Sequence, residues 1–202
     1  MTPHDDVRAL LDGHVPVDER EVASIARIRG ELERLDEPFD QRADLVHVTG
    51  SAIVVGPRGV VLLVHRKLGF WMQPGGHLEP GEDPATAAAR EAFEETNLRV
   101  EVEGLLGVRL WVMDDGEHNY FFMFRARLVS PIGDLRPNLA EIDDARFFTI
   151  AEMEALGPDE TWSGAIAIAR KALDPDHHVW PNHAALSDRS GVDTPERWRI
   201  WI

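Results

Sequence analysis

The sequence contains no cysteine. That excludes disulfides, a thiolate nucleophile and Cys-based zinc sites together. No run of about 18 apolar residues occurs, so no transmembrane helix is expected. The first residues, MTPHDDVRAL, are acidic where a signal peptide would be basic and then apolar. A cytoplasmic location with no membrane partner is therefore the default expectation. There is no Gly-x-x-x-x-Gly-Lys phosphate loop, no Gly-x-Ser-x-Gly elbow and no His-Glu-x-x-His. Positive charge is also scarce: 21 Lys and Arg against 36 Asp and Glu give a formal net charge of −15. A surface that negative repels nucleic-acid backbones, which excludes a duplex-binding role. An anionic substrate remains open only if a cation comes between it and the protein. Lysine occurs only at Lys67 and Lys171, a bias with no functional reading.

What is present suffices for a folded domain. The 202 residues are 44% hydrophobic, enough for one domain with extensions. Residues 18–35 read as a helix: Asp18 and Glu21 have capping-box spacing, and Val22, Ile25, Ile28, Leu32 and Leu35 recur at three and four. A shorter helix is expected near Pro3 to Leu11. Together they form an N-terminal helical extension, residues 1–44. From about Leu45 the period becomes that of strands. HVTGSAIVVG and VVLLVHRK are joined by GPRG, and EVEGLLGVRLWVM and HNYFFMFRARLV are joined by DDGE, where Asp115-Gly116 signals a hairpin. ARFFTI is a further strand, and AEMEAL and ETWSGAIAIARKAL read as helices. These elements form a central domain, residues 45–174, of the α/β class with a mixed sheet. Residues 175–202 are a tail expected to pack on the domain through Trp180, Trp198 and Trp201; His177, His178 and His183 in it lack metal spacing.

The chemistry is concentrated in GHLEPGEDPATAAAREAFEETNL, Gly76 to Leu98. Asp83 is a good N-cap, Pro84 suits the first helical position and Asn97 suits the left-handed residue past the end. At 100° per residue, Glu94 falls about 60° to one side of Glu91 and Glu95 about 40° to the other. Three carboxylates thus share one arc. Ala85, Ala89, Ala92, Phe93 and Thr96 fall on the opposite side, predicted to pack on a sheet. A solvated acidic face is the bland alternative. Against it, like charges at these spacings destabilise a helix by roughly 0.2–0.5 kcal/mol per pair, and no lysine intersperses them. A divalent cation removes the repulsion, and hard oxygen ligands favour Mg²⁺, with Mn²⁺ as a substitute.

The stretch resembles the signature of the Nudix hydrolases, of the MutT-like kind. Gly76, Glu82, Arg90, Glu91, Glu94 and Glu95 match its fixed positions, and Ala92 and Leu98 its aliphatic ones. Asn97 replaces the last glycine, and of non-glycine residues it best tolerates a positive φ. The preceding FWMQPGGHLEPGE resembles the family's entry to this box. The likeness covers roughly residues 45–157 and implies an α/β/α sandwich. It also implies that Glu91, Glu94 and Glu95 ligate a divalent metal, with the carbonyl of Gly75 as a further ligand. Glu91 and Arg90 become catalytic positions, Arg90 by orienting Glu91 or Glu94, and Glu82 an outer position.

The implied reaction is attack of water on a phosphorus of a nucleoside diphosphate linked to another group: a nucleotide sugar, ADP-ribose or a nucleoside triphosphate. The family often takes its general base from a glutamate in a loop before a late strand. Glu141 in PNLAEIDDARFF is the best candidate, with Asp143 and Asp144 behind it; a solvated acidic loop is the alternative. Arg66 and Lys67 end a strand where they could meet phosphates or simply face solvent. Phe70 and Trp71 are base-stacking candidates. Tyr120, Phe122 and Phe124 on one strand face, and Phe121 and Met123 on the other, fit stacking or core. Subclass marks are missing: Met113 stands where ADP-ribose enzymes often carry proline, Tyr120 lies too far along for the dinucleoside polyphosphate mark, and WMQPGGH is not the decapping variant. A non-catalytic nucleotide-sensing module is the main alternative. A prenyl diphosphate isomerase is disfavoured because that chemistry uses a cysteine. The oligomeric state is open, a homodimer included.

Overall fold

The computed structural model describes residues 3–16, 18–37, 39–40, 42, 45–112, 116, 118–162 and 164–175. Two helices lead, α1 (Pro3–Gly13) and α2 (Glu19–Arg34). The strands β1 (Val46–Gly56), β2 (Gly59–His65), β3 (Trp71–Met72) and β4 (Gly75–His77) precede helix α3 (Pro84–Thr96). Then come β5 (Val100–Val112), β6 (His118–Leu128), a 3₁₀ turn (Ile132–Asp134), β7 (Ile142–Phe148), α4 (Ile150–Glu154) and α5 (Gly164–Leu173). The seven strands form one sheet with the path β3-β2-β1-β6-β5; β4 pairs β1 and β7 pairs β2. Only β1 and β6 pair in parallel, so the sheet is mixed. The tail with Trp180, Trp198, Trp201 and the three histidines lies outside the described residues, as do Met113 and Asp115. Among the described residues no helix is long and apolar enough to cross a membrane.

Alternate residues of the central strands supply two cores, because successive side chains point to opposite faces of a sheet. Val48, Ala52 and Val54 of β1 join Tyr120, Phe122 and Phe124 of β6 under α1, α2 and α3. Ile53 and Met123 face the other way, with Phe148, under α4 and α5. Helices on both faces of a mixed sheet make the expected α/β/α sandwich. Tyr120, Phe122 and Phe124 are fully buried, which settles them as core. The side chains of α1 and α2 enter the same cluster as the sheet.

The start of α2 departs from its sequence pattern. Val22 is 51% exposed and Glu21 is 0% exposed. The reason lies on the sheet edge. β5 is an edge strand, and its Val108 N–H donates to the Glu21 carboxylate at 2.7 Å. His14 Nε2 lies 2.9 Å from the same oxygen. Asp18 caps the helix by accepting from Glu21 N–H, so only half of the expected capping box forms and the Glu21 side chain covers the strand edge instead. An edge N–H satisfied in this way is not available for pairing with another chain.

A glycine inside a β-branched strand sets the height of α3. A Cβ at Gly50 would sit 2.1 Å from Pro84 O and 2.9 Å from Ala88 N. The helix backbone therefore rests on the strand backbone, a close approach that glycine permits. Gly50→Ala is expected to destabilise the protein by about 1–3 kcal/mol or more, by lifting α3 off β1. A lower urea midpoint at unchanged m-value measures it.

Candidate active site

The direction in which α3 rests on the sheet bears out Ala92 and Thr96 on the packing face and corrects Ala85, Ala89 and Phe93. Pro84, Ala87, Ala88, Ala92, Glu95 and Thr96 are the buried residues of the helix. Phe93 is 42% exposed, with the Arg99 guanidinium 5.8 Å from its ring centroid; Ala85 and Ala89 are only partly covered. The line of contact at Gly50 runs through Pro84 and Ala87–Ala88, and its continuation along the helix runs through Glu91 and Glu95, three and four residues on. Glu91 and Glu95 thus lie along the edge of the packing face, and Glu94 stays exposed beside them. The caps are as expected: Asp83 accepts from the N–H groups of Ala85 and Thr86, and Asn97 takes φ 60°. Asn97 adds a bond that glycine cannot make, from Nδ2 to Asp134 O at 3.0 Å.

β4 brings Gly75 and Gly76 against this edge. Gly75 N–H donates to Glu95 Oε2 at 2.9 Å. A Cβ at Gly76 would stand 2.5 Å from Glu91 Oε1, and one at Gly75 would stand 2.4 Å from Ser51 Oγ. Both glycines therefore clear room for a carboxylate and a strand to meet.

Arg90 organises the remaining acids. Its Nε and Nη2 donate to Glu82 at 3.0 and 2.9 Å. Nη1 donates to Glu91 at 2.8 Å and to Glu94 at 2.9 Å, and Nη2 also reaches His77 O at 2.8 Å. One planar guanidinium thus serves three carboxylates and a carbonyl, which a lysine could not do. Glu82 is the anchor of Arg90, and it also accepts from Glu79 N–H at 2.9 Å.

Glu95 is 5% exposed. Burial pushes its carboxyl up to about 8, Gly75 N–H pulls it down, and the charges of Glu91, Glu141 and Glu94 push it up again. Burial likewise raises Glu91, opposed by Arg90. A carboxylate that is costly to ionise next to others of its sign is the setting in which a cation binds with most effect. The donor set is all hard oxygen, which suits Mg²⁺ or Mn²⁺. Among the described residues no three His, Cys, Asp or Glu side chains converge as a ready-made metal group. Glu91 and Glu94 are turned onto Arg90 and Glu95 onto Gly75, so ligation requires side-chain rotation.

The other expected residues divide. Glu141 lies close enough for its charge to act on both Glu95 and His65. Arg66 binds Asp143 at 2.8 Å and Ala140 O at 3.0 Å, so its side chain is directed to that loop. Trp71 packs edge-on against Phe148 with centroids 4.8 Å apart, and the Arg146 guanidinium covers its ring at 4.8 Å, which makes it structural. Phe70 stays partly exposed beside it. Asn138, whose N–H donates to Glu95 O at 2.9 Å, and Gly50, which seats α3 on β1, were not foreseen from the sequence. Only Gly50 carried a signal, a glycine within a β-branched run.

The NUDIX domain model matches residues 45–169. Phosphatase NudJ of Escherichia coli (strain K12) is 33% identical over 110 residues, 53% of this chain and 71% of that protein. A NUDIX-family hydrolase structure from Clostridium perfringens superposes with TM-score 0.57 at 22% identity, covering 63% of this chain and 96% of that one. A NUDIX hydrolase from Nitrosomonas europaea gives TM-score 0.53 at 28% identity, covering 62% and 86%. Fold, box and sequence agree: the chain belongs to the Nudix family and is a hydrolase acting on phosphoric anhydride bonds.

Proposed function

We propose that the protein is an Mg²⁺-dependent pyrophosphohydrolase, with Mn²⁺ as a substitute, that cleaves the diphosphate of a nucleoside diphosphate joined to another group. Nucleotide sugars, ADP-ribose and nucleoside triphosphates are the substrate types considered, in a cytoplasmic setting, with no duplex nucleic acid or membrane as partner. The observation that carries the reading is the placement of Glu95: a carboxyl only 5% exposed, accepting Gly75 N–H at 2.9 Å from a glycine strand, on the helix that also carries Glu91 and Glu94. Nudix hydrolases as a family are generally divalent-metal dependent, and the chain carries the matching donors.

Glu91, Glu94 and Glu95 would hold the metal, with the Gly75 carbonyl as a further donor. Bound there, the metal would supply charge neutralisation of the phosphate oxygens and acidify a water. The chain's own residues would contribute as follows. Arg90 keeps Glu91 and Glu94 on one side of the helix while anchored on Glu82. Gly75 and Gly76 let β1 and the Glu91 carboxylate close on β4, which keeps Glu91 and Glu95 against the same strand. Glu141, on the loop facing Glu95, would accept the proton of the attacking water. Phe70 would meet the attached group.

The test is release of phosphate or nucleotide from a panel of nucleoside di- and triphosphates, nucleotide sugars, ADP-ribose and dinucleoside polyphosphates with Mg²⁺. Glu94→Gln is the control. Activity on part of the panel that drops in the control is expected. Inactivity across the panel, or activity unchanged in the control, would overturn the reading.

A further inference from the structure

Arg66 stands at the end of β2, where its basic side chain could have reached a phosphate. It reaches the Glu141 loop instead. Its Nε donates to Asp143 Oδ1 at 2.8 Å and its Nη1 to Ala140 O at 3.0 Å. Its backbone N–H donates to Glu141 O at 2.8 Å. These bonds go to residues 140, 141 and 143 and bracket the glutamate on both sides. The β2–β7 ladder cannot do this alone. It ends at the His65–Ile142 pair, with a register shift between Val64 and His65, so regular pairing stops one residue short of Glu141.

The loop's other end is tied to α3. Asn138 N–H donates to Glu95 O and Arg136 N–H to Thr96 O, both at 2.9 Å. Asn138 O in turn accepts from Glu141 N–H at 3.0 Å and from Ile142 N–H at 2.8 Å. Glu141 is therefore hung between β2 and the C-terminal end of the box helix, and among the described residues Arg66 supplies the side-chain bonds that tie its loop to the end of β2. The Arg66–Asp143 pair is half exposed, at 51% and 50% of the two side chains. An ion pair that exposed contributes little to stability. What three directed bonds at the end of a ladder do provide is a fixed direction for the residue between them.

We propose that Arg66 is a positioning residue that holds the Glu141 loop toward Glu95, rather than a contact to the substrate's phosphates. The proposal rests on Glu141 being the general base, and the experiment reads the two claims separately.

Two measurements on the full chain test it. The first needs no substrate: backbone hydrogen exchange of the 138–142 amides in the parent and in Arg66→Ala. Local protection there is expected to fall about tenfold with the rest of the molecule unchanged, the consequence of losing two side-chain bonds. Unchanged protection at 138–142 overturns the proposal. The second is steady-state kinetics with Mg²⁺ and ADP-ribose, UDP-glucose and dATP in turn, for Arg66→Ala, Glu141→Gln and the double variant. Glu141→Gln is expected to lower kcat about 10²-fold. Arg66→Ala should lower kcat about tenfold with KM within about twofold, and should add nothing in the Glu141→Gln background, the signature of two residues acting as one unit. A raised KM at unchanged kcat, or a full additional loss in the double variant, makes Arg66 a substrate contact and overturns the proposal. Near-normal kcat in Glu141→Gln alone removes the base and the proposal with it, leaving the metal-site reading intact. Arg66→Lys, which keeps the charge without the fork, should lie between parent and alanine; if Arg66→Ala does not fold, full activity in Arg66→Lys with normal exchange at 138–142 counts against positioning.

Discussion

Glu95→Gln is expected to lower turnover about 10³-fold while making the metal-free protein more stable at alkaline pH. Both effects have one origin. Glu95 is buried, accepts Gly75 N–H and faces the charges of Glu91, Glu141 and Glu94, and its carboxyl is pushed up to about 8. Glutamine has the shape of the protonated acid and still offers an oxygen to Gly75. It cannot offer a charge to a cation. A metal at such a site stabilises developing phosphate charge by several kcal/mol, and every 1.4 kcal/mol is tenfold, so losing a buried anionic ligand costs about 10³ in rate.

The stability effect has a definite sign. The folded value near 8 lies above the reference value of 4.5. Between them the folded carboxyl keeps a proton that the unfolded chain releases, so the folded state binds more protons and stability falls as pH rises. The group's contribution is complete below about 4.5 and is lost as pH rises through about 8. Glutamine removes that slope. In the presence of chelator, the unfolding free energy of Glu95→Gln should exceed the parent's by a few kcal/mol near pH 8 and by little near pH 5. Urea titrations at the two pH values measure this. Added Mg²⁺ should then raise the parent far more than the variant, because a ligand bound only by the folded state stabilises it. A flat profile for the metal-free parent would show that Glu95 does not hold the proton. Equal stabilisation of both by Mg²⁺ would show that it is not a ligand.

The box was legible because its information is local. Asp83, Pro84 and Asn97 specify the ends of α3 by side-chain chemistry alone, and 100° per residue places Glu91, Glu94 and Glu95 together. The long strands were legible for the same reason, through β-branched runs and turn residues. What stayed hidden depends on partners distant in sequence. Which side of α3 meets the sheet is decided by Gly50, 34 positions before Pro84, and this moved Glu95 from the exposed side to the buried one and left Phe93 outside. The exchange of Val22 for Glu21 at the start of α2 is decided by the Val108 N–H on the sheet edge, which donates to Glu21 and which no periodicity in α2 encodes. β3 and β4 have two and three residues, too few to show alternation. Arg66 reads as a free cation in sequence because Asp143, its partner, lies 77 residues away.

Arg90→Met is the second large effect, expected to lower stability by about 3 kcal/mol and turnover with it. The guanidinium is the counter-charge for Glu82, Glu91 and Glu94 and the donor for His77 O. Glu82 and Glu91 are mostly covered, with side chains 9% and 16% exposed. Removing one partner of a buried charge pair costs about 3–5 kcal/mol because the other charge is left uncompensated. The exposed Glu94 contributes little to that sum, and partial solvent access to Arg90 brings it to the lower end. For a chain of this size, that is a fall in Tm of roughly 6–12 °C. Methionine fills the space of the stem, so the loss reports the fork and not a cavity. Arg90→Lys separates charge from shape: one ammonium cannot reach Glu82, Glu91, Glu94 and a carbonyl together, so it should recover less than half of the stability. Divalent cation gives the sharper readout. With Arg90 gone, Glu91 and Glu94 lose their competing partner and repel more strongly, so Mg²⁺ should raise the Tm of Arg90→Met by more than it raises that of the parent, while turnover stays low because the freed carboxylates are no longer held in register with Glu95. Restored turnover at saturating Mg²⁺ would mean that Arg90 supplies charge alone and that its geometry is dispensable.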